Sequence, residues 1–305
     1  MIGEHMRQRT LTLQEIYRKG SRILAEAGVP EASLDAWLLL SYVTGITKAS
    51  YYGDPDREVG AKDAERYFGS VAKRAKRIPL QHITGEQEFM GYTFRVNEHV
   101  LVPRQDTEIL AEEALNELRD GMRVLDLCTG SGCVLISILK MAKERLHIED
   151  VRGTGADISE EALAVAKENA KFLGVQAQFV KSGLFAKVEG KFDLIVSNPP
   201  YIPTKTIEGL QDEVRLFDPR IALDGGADGL YFYREILRQS AGYIEDGGTL
   251  MFETGCEQGE AVASFMKSAG YEDVRVKKDL SGLDRVVRGR YNREQMHESR
   301  RRRNV

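Results

Sequence analysis

A chain of 305 residues, 42% apolar and 30% charged, has an ordinary globular composition and enough material for two domains. No apolar run approaches the roughly 18 residues of a membrane span. The start MIGEHMRQRT lacks the apolar core of a signal peptide, so a cytoplasmic protein without membrane contact is expected. The net charge of -4 disfavours a protein that coats nucleic acid. Three cysteines (Cys128, Cys133, Cys256) without C-x-x-C spacing and five scattered histidines suggest neither a disulfide framework nor a metal site.

From Leu11 to about Pro79 apolar residues recur at helical spacing, as in SLDAWLLLSYVTG, with breaks at Gly28-Val29-Pro30 and Gly45. This predicts a small all-helical domain over residues 1–80. Its length exceeds what a small substrate needs, so a substrate-recognition role is expected. In residues 81–104, β-branched and aromatic residues alternate around Gly85 and Gly91, which predicts a β-hairpin linker. Over residues 105–291 helices and strands alternate. Helices are predicted at 107–119, 132–144, 159–173, 229–242 and 257–269. The strands are RVLDLC, RGTGADI, AQFVKS, FDLIVSN, GTLMFETG, YEDVRVKKD and DRVVRGRY. The fold class is therefore α/β, a doubly wound, mostly parallel sheet with a late antiparallel edge, which binds ligands at the carboxyl ends of its strands. Residues 292–305, with the run RRRRN, read as a disordered basic tail or a contact for ribosomal RNA.

VLDLCTGSGCV (Val124–Val134) is a strand turning through glycines into a helix. A nicotinamide fingerprint needs a third glycine where Leu135 stands, so a dinucleotide reading is weakened. A short Gly130-Ser131-Gly132 turn remains, preceded by Asp126, Cys128 and Thr129, where backbone can approach a ligand closely. It resembles the first motif of S-adenosylmethionine-dependent methyltransferases, which usually carry a further glycine at the Cys128 position. Asp157 ends the next strand, where a carboxylate can accept both hydroxyls of a ribose. Ser159 is the better cap for the following helix and leaves Asp157 free. At the third strand end, Gly183, Leu184 and Phe185 would offer apolar walls to an adenine. Related sequences commonly carry an acidic residue where this chain has Gly183.

The strand FDLIVSN runs into Pro199, Pro200 and Tyr201. Strand termination accounts for one proline but not for the set. Prolines have no N–H, so the turn offers only acceptors, and Asn198 adds a side-chain carbonyl. Such a turn suits an NH₂ group. If the Asn198 and Pro199 carbonyls each take one hydrogen of a substrate amine, its lone pair points toward a methyl sulfonium. Tyr201 can then stack on the planar group that bears the nitrogen. Two accepted hydrogen bonds increase charge on a delocalised nitrogen as the transition state forms. The motif by itself fits adenine N6 and glutamine amides equally.

Over nearly its entire length the chain resembles the release factor glutamine methyltransferases. VLVPRQDTE matches that family's Pro-Arg-x-x-Thr-Glu signature, with Gln105-Asp106 replacing Pro-Glu. DPRIALDGGADGLYFYREI, FETGCEQ and DLSGLDRVV resemble further stretches of it. The resemblance implies a Rossmann-like class I methyltransferase preceded by a helical domain and a hairpin. S-adenosylmethionine would be the methyl donor, adenosylhomocysteine the product, and the acceptor the glutamine of the Gly-Gly-Gln motif in class 1 peptide chain release factors. By motif, Asn198, Pro199, Pro200 and Tyr201 would hold the glutamine. Asp126, Cys128, Thr129, Gly130, Ser131, Gly132, Asp157, Leu184, Phe185 and Asn198 would hold the cofactor. Arg104, Thr107 and Glu108 either line the methionine end and brace the catalytic turn, or start a helix capped by Thr107 or Asp106. Glu112 and Glu113 read as a solvated helix face. A ribosomal-protein glutamine and nucleic-acid adenine N6 are the rival acceptors, the second disfavoured by the lack of a basic, aromatic-rich recognition face. A monomer with no bound metal and no nucleic-acid substrate is expected.

Overall fold

The computed structural model describes residues 10–295, so the RRRRN run lies outside the described residues. The described chain forms two compact units. One contains the residues up to Gly85 together with Asp212–Phe217; the other contains Glu86–Gln211 and the chain from Asp218 onward.

The first unit is built on α1 (Leu13–Glu26), α2 (Ala32–Thr44), α3 (Lys48–Gly53), α4 (Ala61–Ala75) and α5 (Leu80–Thr84). Thr12 starts α1 with a capping box, its hydroxyl accepting from Glu15 N while the Glu15 carboxylate accepts from Thr12 N. The helices bury Ile16, Leu24, Leu39, Leu40 and Tyr67. Gly20 is required where α1 meets α4, because a Cβ there would collide with the Tyr67 ring.

The second unit opens with the hairpin β1 (Glu86–Phe89) and β2 (Tyr92–Arg95). Both turn residues are left-handed, Met90 at φ 53° and Gly91 at φ 78°, the geometry that matches the twist of a two-residue hairpin. Then follow α6 (Gln105–Glu117), β3 (Arg123–Leu127), α7 (Cys133–Leu146), β4 (Arg152–Asp157), α8 (Glu160–Leu173), β5 (Gln178–Lys181) and β6 (Phe192–Ser197). The chain continues with a 3₁₀ turn at Thr204–Gly209, α9 (Asp212–Phe217), α10 (Arg220–Leu223), α11 (Tyr231–Ser240), β7 (Ile244–Glu253), α12 (Gly259–Ser268), β8 (Tyr271–Lys278) and β9 (Asp284–Tyr291). The seven-stranded sheet has the order β5-β4-β3-β6-β7-β9-β8. Strands β3 to β7 run parallel to one another, and β9 runs antiparallel to both β7 and β8. The doubly wound, mostly parallel sheet with an antiparallel edge is thus observed. Strand order reverses between β3 and β6, so the turns after these adjacent strands face the topological switch point where such sheets bind ligands.

Two local expectations are corrected. Glu112 is exposed, but Glu113 is only partly so and pairs with Lys277 at 3.3 Å, because α6 lies beside the β8–β9 edge. Neither Thr107 nor Asp106 caps α6; Arg104 is its N-cap and no side chain caps the helix. Helix α9 follows the Asn-Pro-Pro-Tyr turn in sequence yet belongs to the first unit. Its Glu213 accepts from Arg74 at 2.8 Å and from Arg77 at 2.6 Å, while Arg74 also donates to Asp35 at 2.7 Å.

Candidate active site

One cleft runs along the carboxyl ends of β3, β4, β5 and β6. At its centre β3 ends in Asp126 and Leu127, and the chain turns through Cys128–Gly132 into α7. Cys128 is left-handed at φ 59° and so are Gly130 and Gly132, which reverses the chain in five residues and leaves the turn's backbone facing the cleft. A Cβ at Gly130 would meet nothing within 4 Å, so its backbone lies bare to a ligand. A Cβ at Gly132 would strike Ile136 Cδ1 at 2.8 Å, so that glycine serves packing. Asp126 is buried and accepts from Thr129 Oγ1 at 2.6 Å. Burial raises its pKa to about 7 despite that hydrogen bond.

Asp157 lines the cleft at the end of β4. Ser159 caps α8, accepting from Ala162 N at 3.0 Å, as expected. Asp157 is nevertheless not free: Oδ1 accepts from Ser159 N and Oδ2 from Gly130 N, each at 2.9 Å. Burial raises its pKa and these backbone N–H groups oppose the rise. Each carboxylate oxygen keeps a second lone pair, so two hydroxyls can still be accepted, now by a carboxylate whose orientation is fixed. Ile158 and Leu184 supply apolar walls. Leu184 sits at φ 54°, a strained conformation for a leucine that aims it at the cleft. Phe185 is corrected: it does not line the cleft but is fully buried, stacked on Tyr243 with ring centroids 4.5 Å apart.

Asn198 and Pro200 line the cleft beyond β6; Pro199 and Tyr201 do not. Ser197 Oγ donates to Leu127 O at 2.8 Å and ties the ends of β6 and β3 together. Asn198 Nδ2 donates to Thr107 Oγ1 at 3.3 Å, so the amide's donor side is engaged and its Oδ1 is left to accept. The expected stacking face of Tyr201 is also corrected. Its ring packs against the core beside Gly255, and its hydroxyl donates to Glu253 Oε1 at 3.4 Å. The turn is held from behind by the loop after α10. Gly225 N donates to Ile202 O at 2.9 Å, and a Cβ at Gly225 would lie 2.7 Å from Tyr201 Cα. Gly229, at φ 73°, has no room for a side chain against the Tyr201 carbonyl, which accepts from Gln258 Nε2 at 2.9 Å. The glycines of DGGADG thus permit this close approach.

Thr107 is buried against the Asn198 amide. Arg104 lines the cleft and donates to the buried Asp218 at 2.7 Å, ahead of Pro219, Ile221 and Ala222 on the cleft wall. Glu108 lies elsewhere, accepting the Met90 N–H of the hairpin. Sequence reasoning missed Ile158, Phe232 and the His99–Leu101 segment, all cleft-lining, and Glu253, buried next to the turn. Ile158 directly follows the strand-end Asp157, a position that could have flagged it.

The family model described as PrmC N-terminal domain matches residues 15–85, and that of the methyltransferase small domain matches residues 105–212. A release factor glutamine methyltransferase of Geobacter sulfurreducens is 43% identical over 268 residues, covering 88% of this chain and 92% of its own. One from Caulobacter vibrioides is 40% identical over 288 residues, covering 92% and 96%. The crystal structure of a release-factor-specific protein-(glutamine-N5) methyltransferase from Alicyclobacillus acidocaldarius is 30% identical with a TM-score of 0.38, covering 65% of this chain and 99% of that one.

Proposed function

We propose that this chain, which belongs to the release factor glutamine methyltransferase family, transfers a methyl group from S-adenosylmethionine to the side-chain amide nitrogen of a glutamine, that of the Gly-Gly-Gln motif in class 1 release factors. The observation that carries this reading is the Asn198 amide: its NH₂ turns toward Thr107 and donates one hydrogen to it, so its carbonyl is presented beside two prolines that have no N–H. Asparagine there accepts one hydrogen of the incoming amide NH₂, and the Pro199 carbonyl is proposed to accept the other. With both hydrogens held, the nitrogen lone pair is directed and its charge is stabilised as the C–N bond forms. As that bond forms the methyl–sulfonium bond breaks, leaving a neutral thioether, and the nitrogen loses one proton to water to reach the neutral N-methyl amide.

The cleft fits the methyl donor. Gly130 offers bare backbone, Asp157 has two lone pairs for ribose hydroxyls, and Ile158 and Leu184 can flank a flat ring. The donor, when bound, supplies an electrophilic methyl on a sulfonium. Asp126, Cys128, Thr129, Ser131 and Gly132 are proposed to shape the turn that holds it. Burial raises the Cys128 thiol's pKa, reinforced by Asp157 and Asp126, which disfavours a thiolate beside the methyl donor.

The deciding assay offers purified release factor, ribosomal proteins and adenine-containing oligonucleotides with labelled methyl donor. Methyl incorporation at the Gly-Gly-Gln glutamine, located by mass spectrometry, is expected. Incorporation only into a ribosomal protein or adenine would overturn the acceptor assignment.

A further inference from the structure

Gln258 closes the stretch FETGCEQ, which leads from β7 into α12. It does not line the cleft, yet its side-chain amide meets backbone groups of three separate segments. Nε2 donates to Tyr201 O at 2.9 Å and to Gly229 O at 3.3 Å, and Oε1 accepts from Gly255 N at 3.1 Å. The partners dictate this orientation: two carbonyls require donors and one N–H requires an acceptor, which only one rotation of the amide supplies. Both hydrogens and the oxygen of the amide are thus engaged.

Gln258 is itself held in place. Its N–H donates to Gly255 O at 2.9 Å, and a Cβ on the next residue, Gly259, would lie 2.4 Å from Asp284 Oδ2, so the start of α12 sits directly against β9. Glycines admit the amide: a Cβ at Gly229 would lie 2.7 Å from Gln258 Nε2, and one at Gly255 would lie 3.0 Å from Oε1. The turn that it grips has two φ angles fixed by Pro199 and Pro200. Beyond Tyr201 the chain is fastened where Ile202 N donates to Leu223 O at 3.0 Å. Between these points the peptide planes can still rotate about the ψ angles of the prolines and about Tyr201. Holding Tyr201 O removes much of that freedom.

We propose that Gln258 is a positioning residue for methyl transfer: by holding the Tyr201 carbonyl it fixes the peptide planes of the Asn-Pro-Pro-Tyr turn, and with them the direction of the acceptors that receive the substrate amine. It acts through the turn and touches neither substrate nor methyl donor. The two acceptors must each meet one hydrogen of the same NH₂, so a small rotation of the turn turns the nitrogen lone pair away from the methyl. A misplacement of about 1 Å costs on the order of a hundredfold in rate. The inference rests on the proposed function for the turn's role in holding an amine, and not for which amine it holds.

The test uses the full chain carrying Gln258→Met, which keeps length and loses all three hydrogen bonds, or Gln258→Glu. At about pH 8, where a glutamate is ionised, the second variant keeps an oxygen for Gly255 N and loses the donor to Tyr201 O. Single-turnover methylation of release factor should slow by about tenfold or more in both, with adenosylmethionine affinity within about twofold. The Asn198 side-chain ¹⁵N resonance should shift in both. Gln258→Met combined with Asn198→Ala should lose less than the product of the two single losses, because part of what Gln258 positions is then gone. Near-normal methylation by Gln258→Met, restoration of the rate in Gln258→Glu, an unmoved Asn198 resonance, or strictly multiplicative losses would overturn the proposal. If the unaltered enzyme methylates a different amine, the acceptor assignment fails, while the same fall in rate on that amine upholds the role of Gln258.

Discussion

At the scale of single residues the site is a set of departures from ordinary backbone and charge. Cys128 and Leu184 occupy left-handed conformations that cost an L-residue about 1–2 kcal/mol each, and both border the cleft. Gly183 is the opposite case, since its φ is not left-handed and only Ile158 Cδ1, at 4.0 Å, approaches a Cβ built there. A side chain therefore fits where related sequences carry an acid. Gly183→Asp should add an acceptor for the adenine amino group, and a net hydrogen bond of about 1 kcal/mol corresponds to about fivefold tighter adenosylmethionine binding by calorimetry. Unchanged or weaker binding would place the adenine elsewhere. The motifs at Asp126, Asp157 and Asn198 were legible because each ends a strand, where topology alone directs a residue to the cleft. Phe185 was misread because spacing does not set which way a loop side chain points. Glu253 was missed because its burial at the end of β7 and its contact with the Tyr201 hydroxyl are made by tertiary packing, which its place on the strand does not show.

Among elements, the alternation from Gln105 onward was readable because apolar strands and amphipathic helices have different periods. Residues 204–223 were not, since their 3₁₀ turn and two short helices carry too few turns to show a period. Nor could sequence show that α9 belongs with the N-terminal helices, an association made by ion pairs 136 and 139 residues apart. Glu213 compensates two guanidiniums there, and the three side chains Arg74, Arg77 and Glu213 are 7%, 20% and 16% exposed. Removing one partner of such a group leaves buried charge behind. Glu213→Ala should destabilise the first unit by on the order of 2 kcal/mol, part of the loss being spared because Arg74 keeps Asp35. Trp37, the chain's single tryptophan, packs edge-on to Tyr17 and Tyr51 in that unit and reports its unfolding by fluorescence. An unchanged denaturation midpoint would mean that α9 contributes nothing to that unit's stability.

For the molecule as a whole, the buried carboxyls link stability to pH with a sign opposite to the common one. Burial raises Asp126 and Glu253 to about 7, well above their ordinary values near 4. Between roughly pH 4.5 and 7 the folded state binds protons that the unfolded chain releases, so stability falls as pH rises through that window. Carboxylates lowered by partners, such as Asp228 at about 2, lose their contribution only at more acidic pH. The ligand-free catalytic unit should therefore melt at higher temperature at pH 6 than at pH 8, and Glu253→Gln should reduce the difference. A lower melting temperature at pH 6 would mean that both groups ionise normally. A fold that keeps costly carboxyls around one cleft is organised for chemistry rather than for stability, and that chemistry converges on Asn198. The most direct measurement is single-turnover methylation of release factor by Asn198→Ala, with adenosylmethionine binding measured alongside. Loss of one preorganised acceptor should slow methyl transfer about a hundredfold, on the order of 3 kcal/mol, with cofactor affinity nearly unchanged. Near-normal turnover would contradict the account and leave strand termination as the explanation of Asn-Pro-Pro-Tyr.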